Sequence, residues 1–142
     1  IVSLVERDGE KRSFHVPNVT GKTLRPIMKG MIAKDARLMT DEAGVYKPIG
    51  PEFKSHEVVN HSAKEYSRGD ATTNSVESSF ALLKRGLIGT FHSVSEAHLQ
   101  RYATEFDFRS NYRIKTGYND VQRQQMLLMN IAGKRLTYRG AN

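Results

Sequence analysis

The chain has 142 residues, a formal charge of +7 and a pI near 9.8, with 38% hydrophobic residues. That length fits one domain with a real core, and the absence of cysteine excludes a disulfide framework or a Cys-ligated zinc site within it. No apolar run is long enough to span a bilayer, so no membrane partner is expected, and the basic balance points to a polyanion, nucleic acid first.

Ile1 to Val5 and Arg12 to Val16 read as two strands joined by Asp8-Gly9 turn chemistry, a hairpin. Thr20 to Thr23 offers N-cap candidates for a helix whose face is Leu24, Ile27, Met28, Met31 and Ile32, with Pro26 in its first turn and Gly30 weakening it. A short strand from Ala36 to Thr40 delivers Asp41 and Glu42 at its C-terminal edge, where ligands collect in open α/β sheets. Residues 43 to 55 read as loop with one helical turn near Tyr46. His56 to His61 reads as a further strand, and residues 62 to 73 as a polar surface loop.

The most informative stretch runs from Thr72 to Lys84. Val76, Phe80, Leu83 and Leu87 recur at i, i+4, i+7 and i+11, one apolar stripe of a helix that Gly86 and Gly89 end. Glu77, Ala81 and Lys84 lie on the neighbouring stripe, so carboxylate and ammonium sit two turns apart, roughly 10 Å along one edge. Two chemistries fit Glu77. Asn74 followed by Glu77 is a capping box, with the acid reaching back to a free backbone N–H; alternatively the acid holds a metal beside a phosphate-binding lysine.

A second S-x-x-E box, Ser93 to Glu96, opens a helix expected to bury Leu99, Tyr102, Ala103 and Phe106. A last helix, Asp120 to Ala132, is expected to bury Val121, Leu128 and Ile131 before Gly133. The order of elements predicts an α/β fold with an antiparallel hairpin at one end and no domain boundary.

Phosphate-loop, dinucleotide-fingerprint, nucleophile-elbow and H-E-x-x-H motifs are all missing. His56 and His61, five apart on one strand, point to opposite faces and are not expected to share a metal. Asp41 past a strand and Glu77 in a helix's first turn are hard oxygen donors of the kind Mg²⁺ or Mn²⁺ takes, though a solvated strand end or a local turn cap explains Asp41 equally well.

The run from Leu82 to Arg113, L-L-K-R-G-L-I-G-T-F-H-S-V-S-E-A-H-L-Q-R-Y-A-T-E-F-D-F-R-S-N-Y-R, resembles DDE transposases of bacterial insertion sequences, in the ISXO-type branch related to the Merlin elements. Met39 to Glu42, Val58 to Ser62, Glu65-Tyr66, Thr73 to Ser78 and Gly133 to Tyr138 are similar to the same branch. The resemblance implies a ribonuclease-H-like fold in which two aspartates and one glutamate hold two divalent ions, Mg²⁺ or Mn²⁺, that serve DNA cleavage and strand transfer. Asp41 matches the second aspartate, Glu77 the glutamate, and Lys84 the basic residue used against element-end DNA. In that family the first aspartate lies on an opening strand upstream of the hairpin; Asp8, in the hairpin turn, does not match it.

Residues 1–142, which begin at Ile1 inside an apolar run, are therefore expected to be the C-terminal part of a catalytic domain, inactive alone. The family's zinc-ribbon-like DNA-binding segment is expected elsewhere, in keeping with the absence of cysteine. Lys84, Arg85 and Arg101 are the candidates for phosphate contact, with Lys115, Lys134 and Arg135 behind them, against the alternative that they are merely solvated. Tyr102, Phe106 and Phe108 could stack on bases, although helical spacing favours packing for the first two. Further expectations are a homo-oligomer on paired DNA ends and a cytoplasmic, nucleoid-associated location. The rival reading is a non-catalytic DNA-binding or scaffolding remnant.

Overall fold

Among the described residues, hydrogen bonding divides the strands into three two-stranded sheets. The structure, a computed structural model, describes residues 1–63 and 67–134. Strands β1 (Val2–Val5) and β2 (Lys11–Phe14) form the expected antiparallel hairpin, with Val2 opposite Phe14 and Val5 opposite Lys11. Its turn needs a left-handed residue, which Asp8 supplies at φ 58°.

Helix α1 (Gly21–Met31) follows, capped by the Thr20 hydroxyl on the Thr23 N–H, and its inner face is Leu24 and Met28. Pro26 lies one turn further in than expected, because the helix starts at Gly21. Strands β3 (Arg37–Asp41) and β4 (Ser55–Val59) are parallel and in register from Arg37 opposite Ser55 to Asp41 opposite Val59. Two 3₁₀ turns, Gly44–Tyr46 and Gly50–Glu52, occupy the connection where one helical turn was expected. One core joins these parts: Val2, Val16, Leu24, Met28, Leu38, Ile49 and Phe53 pack together, with Leu4 and Phe14 against them. Burying a side chain such as Leu24 or Ile49 contributes about 1.5–3 kcal/mol.

Beyond β4 a 3₁₀ turn, His61–Ala63, and a small hairpin of β5 (Ser67–Arg68) and β6 (Ala71–Thr72) replace the expected loop. Helix α2 (Asn74–Gly89) then ends at Gly89, one of the two glycines expected to close it, and runs through the other, Gly86. A Cβ at Gly86 would collide with the Phe106 ring of α3 (Leu99–Asn111), so this glycine serves the close approach of two helices. Of the predicted α2 stripe, Leu83 is buried and Val76, Phe80 and Leu87 half-buried. The expected Ser93–Glu96 box is not formed: a 3₁₀ turn, Glu96–His98, precedes α3, the Ser95 hydroxyl bonds His98 Nδ1, and Glu96 pairs with His15.

Helix α3 turns a polar face inward beside the expected apolar one, of which Ala103 is buried and Leu99, Tyr102 and Phe106 are half-buried. Its buried residues are Ala103 and Asp107. Gln100, Asp107 and Asn111 fall on one stripe and bond the outer edge of β2. Asn111 takes the Lys11 N–H and gives to its C=O, Asp107 takes the Ser13 N–H, and Gln100 gives to the Ser13 C=O and takes the His15 N–H. Side chains thus do for this edge what another strand would do, which leaves no ladder open for a foreign strand. Lys11 Nζ lies 3.2 Å from Asp107 Oδ1, and the Ser13 hydroxyl donates to the same oxygen at 2.7 Å. The hairpin is therefore covered on both faces, by α1 over Val2, Leu4 and Phe14 and by α3 over Lys11 and Ser13.

After a further 3₁₀ turn, Ile114–Thr116, helix α4 (Asp120–Ile131) begins at a capping box of Asn119 and Gln122 that the sequence reading passed over. Val121, Leu128 and Ile131, expected to be buried, are 63%, 56% and 52% exposed. The periodicity is helical, but among the described residues no element covers that face. The chain is thus a mixed α/β protein in which no helix among the described residues is long and apolar enough to cross a membrane.

Candidate metal centre and nucleic-acid face

Alternation along β3 sends Leu38 and Thr40 to the core side and Arg37, Met39 and Asp41 to the other. The β5–β6 hairpin is tied to that second face. Asp70, in its turn, accepts from both Arg37 guanidinium nitrogens, at 3.0 and 2.9 Å, and from Arg7, while Arg37 also holds Glu57 of β4. The Arg37 hydrogen bonds hold the Asp70 carboxyl at about 2, and those to Asp70 and Glu57 in turn raise Arg37. These groups are half exposed and screened by solvent, so the pairs stabilise little; their effect is to direct the chain entering α2.

Asp41 is the last residue of β3 and is exposed; its Oδ1 accepts the Ala43 N–H at 3.1 Å, a local turn bond that leaves Oδ2 uncommitted among the described residues. Its charge is felt by Tyr46, whose hydroxyl is pushed up first by burial and then by Asp41. Glu42 turns to β4 instead. Its Oε2 takes the His61 N–H at 3.0 Å, and its Oε1 takes the Ser62 N–H at 3.1 Å and the Ser62 hydroxyl at 2.6 Å. The Ser62 hydroxyl, then the backbone N–H groups of Glu42 and His61, pull the Glu42 carboxyl down to about 2.

Glu77 does not form the capping box with Asn74. Thr73 is the N-cap, its C=O accepts the Glu77 N–H, and the carboxylate faces β4: Oε1 accepts from the Thr73 hydroxyl at 2.6 Å and lies 3.0 Å from His61 Nε2. His61 is not on the strand, as expected, but is the first residue past Asn60 in the 3₁₀ turn, and His56 stays on β4 with Nε2 on the Thr40 hydroxyl. Asp41, at the end of β3, and Glu77, beside His61 just past the end of β4, thus lie toward one end of the parallel pair, with His61 between β4 and α2. Among the described residues no three His, Cys, Asp or Glu side chains converge as a metal site, so the two carboxylates are at most part of one. Their donor chemistry fits a hard divalent ion: each keeps one oxygen without a partner among the described residues.

Sequence reasoning placed Glu42 beside Asp41 at the strand edge but missed that it holds the His61 turn, and missed His61 as the partner of Glu77. The signal was the placement of His61 two residues beyond Val59, the strand partner of Asp41.

Lys84, Arg85 and Arg101 are exposed and make no ion pair among the described residues, unlike Arg7, Arg25, Arg37, Arg109 and Arg123, each of which holds a carboxylate. Lys115 and Lys134 are also exposed, and Arg135 lies outside the described residues, as do Glu65 and Tyr66. Arg101 rims a shallow hollow of about 370 Å³ with Phe91, His98, Tyr102 and Glu105. The aromatics expected to pack do so: Tyr102 meets Phe91 edge-on at 4.6 Å, and Phe106 lies against Gly86. Phe108 meets Tyr112 at 4.8 Å.

The two carboxyls held at about 2 set an acid response. A depressed group stabilises the fold above its unfolded value, 4.5 for Glu42 and 3.8 for Asp70, and that contribution is lost as pH falls toward about 2. The expected result is a fall in unfolding midpoint across that window which Glu42→Gln and Asp70→Asn each flatten, measured by thermal denaturation at stepped pH; unchanged slopes would contradict it.

A family model described as the ISXO2-like transposase domain matches residues 1–111. Neither a curated protein nor a solved structure matches the chain.

Proposed function

The chain belongs to the ISXO2-like transposase domain family, and from that premise we propose that it is part of the ribonuclease-H-like catalytic domain of a DDE transposase, with Asp41 and Glu77 as two of its three metal-binding carboxylates. The observation that supports this reading is that Asp41 ends β3 while Glu77 meets His61 just past the end of the parallel β4, each with one carboxylate oxygen that has no partner among the described residues. The resemblance implies a third carboxylate, a place that Asp8, in the hairpin turn, does not match.

Bound divalent ions supply activation of a water or 3′-hydroxyl and neutralise charge on the leaving oxygen of the scissile phosphate. Asp41 and Glu77 would hold them. Lys84, two turns along α2 from Glu77, holds a phosphate of the element end, and Arg85 and Arg101 extend that contact. The transposase acts as an assembly on paired DNA ends in the cytoplasm, with Mg²⁺ or Mn²⁺.

With one carboxylate missing, residues 1–142 alone bind the ions weakly and nick DNA negligibly. A plasmid-nicking assay tests this: no Mg²⁺-dependent nicking is expected from 1–142, and robust cleavage would refute the three-carboxylate reading. The charge face is tested by DNA binding at stepped salt. Lys84→Ala, Arg85→Ala and Arg101→Ala should each reduce the slope of log affinity against log salt by about 0.9; unchanged slopes would show that these cations are only solvated.

A further inference from the structure

We infer that His61 is a positioning residue for Glu77, held in register by Glu42, so that the Asp41-Glu42 pair divides its work: the first carboxylate for the ion, the second for the scaffold. The inference rests on the reading of Glu77 as a metal ligand.

Glu77 is 52% exposed at its side chain, and a glutamate so placed ordinarily samples several rotamers. Here one oxygen is fixed. Oε1 takes the Thr73 hydroxyl at 2.6 Å and faces His61 Nε2 at 3.0 Å, while Nε2 is also 2.9 Å from the Thr73 oxygen. Because the Thr73 proton goes to Glu77, a single Nε2–H serves both oxygens, which requires the proton on Nε2. Oε2 has no partner among the described residues and is left to an incoming ligand. One oxygen held and one open is the arrangement by which an outer partner orients a metal-binding carboxylate.

The imidazole is itself placed by its backbone. Both Glu42 oxygens are spent on the turn that carries it, through the His61 and Ser62 N–H groups and the Ser62 hydroxyl. Glu42 is therefore unsuited to hold an ion. Since Glu42 follows Asp41 directly, the chain of contacts runs from the residue beside one carboxylate to the side chain of the other. It links β3 to α2 without either ligand touching the other.

The test is Mn²⁺-induced broadening of amide resonances in residues 1–142, which registers weak binding. Wild type should broaden around Asp41 and Glu77. His61→Ala should weaken the apparent affinity about tenfold, and His61→Gln, whose amide N–H reaches the same oxygen, should recover most of it; Glu42→Gln should weaken it in the same direction. Glu77→Ala serves as the reference for loss. Binding by His61→Ala equal to wild type overturns the positioning role, while loss in Glu77→Ala keeps the metal reading standing. Equal binding by Glu77→Ala, or none by wild type, sinks the metal reading itself. If His61→Gln stays as weak as His61→Ala, His61 acts by ligation or packing and the inference fails. Should His61→Ala lose its dispersed spectrum, His61→Gln and Glu42→Gln decide.

Discussion

Glu77→Ala and Asp41→Ala, each introduced into a strand-transfer-competent form of the transposase, are expected to lower strand transfer by roughly 10³-fold or more, on the scale of removing an acting group. Binding to element-end DNA should stay within about twofold, because the phosphate contacts assigned to Lys84, Arg85 and Arg101 are made by other side chains. Asp8→Ala serves as the control and should retain activity, since Asp8 sits in the hairpin turn at φ 58°. Strand-transfer product and gel-shift affinity are measured on the same preparations. Lost binding together with lost activity would give the two carboxylates a structural role instead.

The second large effect concerns stability. Asp107→Ala removes the carboxylate that answers Lys11 and the Ser13 N–H, with Lys11 only 6% exposed at its side chain. Leaving an ammonium buried without its partner costs about 3–5 kcal/mol, a large share of the 5–15 kcal/mol that holds a domain of this kind together. Urea denaturation should show that loss. Lys11→Met with Asp107→Leu should recover part of it by removing both charges, though not all, because the Ser13 N–H then lacks its acceptor. A loss under about 1 kcal/mol would mean that α3 does not close the β2 edge as described.

That network marks where sequence reasoning stopped short. Gln100, Asp107 and Asn111 recur at i, i+7 and i+11, as regular as any apolar stripe, yet polar residues at helical spacing read as a solvated face unless a strand edge is known to need donors and acceptors. Leu99, Tyr102, Ala103 and Phe106 were favoured for their hydrocarbon, and only Ala103 is buried. On α4 the reverse occurred. Val121, Leu128 and Ile131 carry a true helical period, but period reports a face and not a partner for it.

Other parts were legible because local chemistry left few choices. Asp8 in a hairpin turn, Thr20 as a cap, and the burial of Leu24 and Met28 each follow from one or two residues. Glu77 shows the limit of such reasoning. The same N-x-x-E spacing serves a capping box or an outward carboxylate, and the outcome depended on His61, which lies one residue past the end reached by β4 plus Asn60 and was read as part of the strand. The long run from Leu82 to Arg113 pointed to the family that residues 1–111 match, while the roles of Glu42 and His61 emerged only from the parallel register of β3 and β4.

The central claim is that the carboxylates of Asp41 and Glu77 share an ion. Crystals of this chain soaked in concentrated manganese, with anomalous scattering recorded, test it most directly. The account predicts a peak about 2.0–2.3 Å from an oxygen of each. A peak bound by neither residue, or the two carboxylates turned away from each other around an unshared ion, would contradict it.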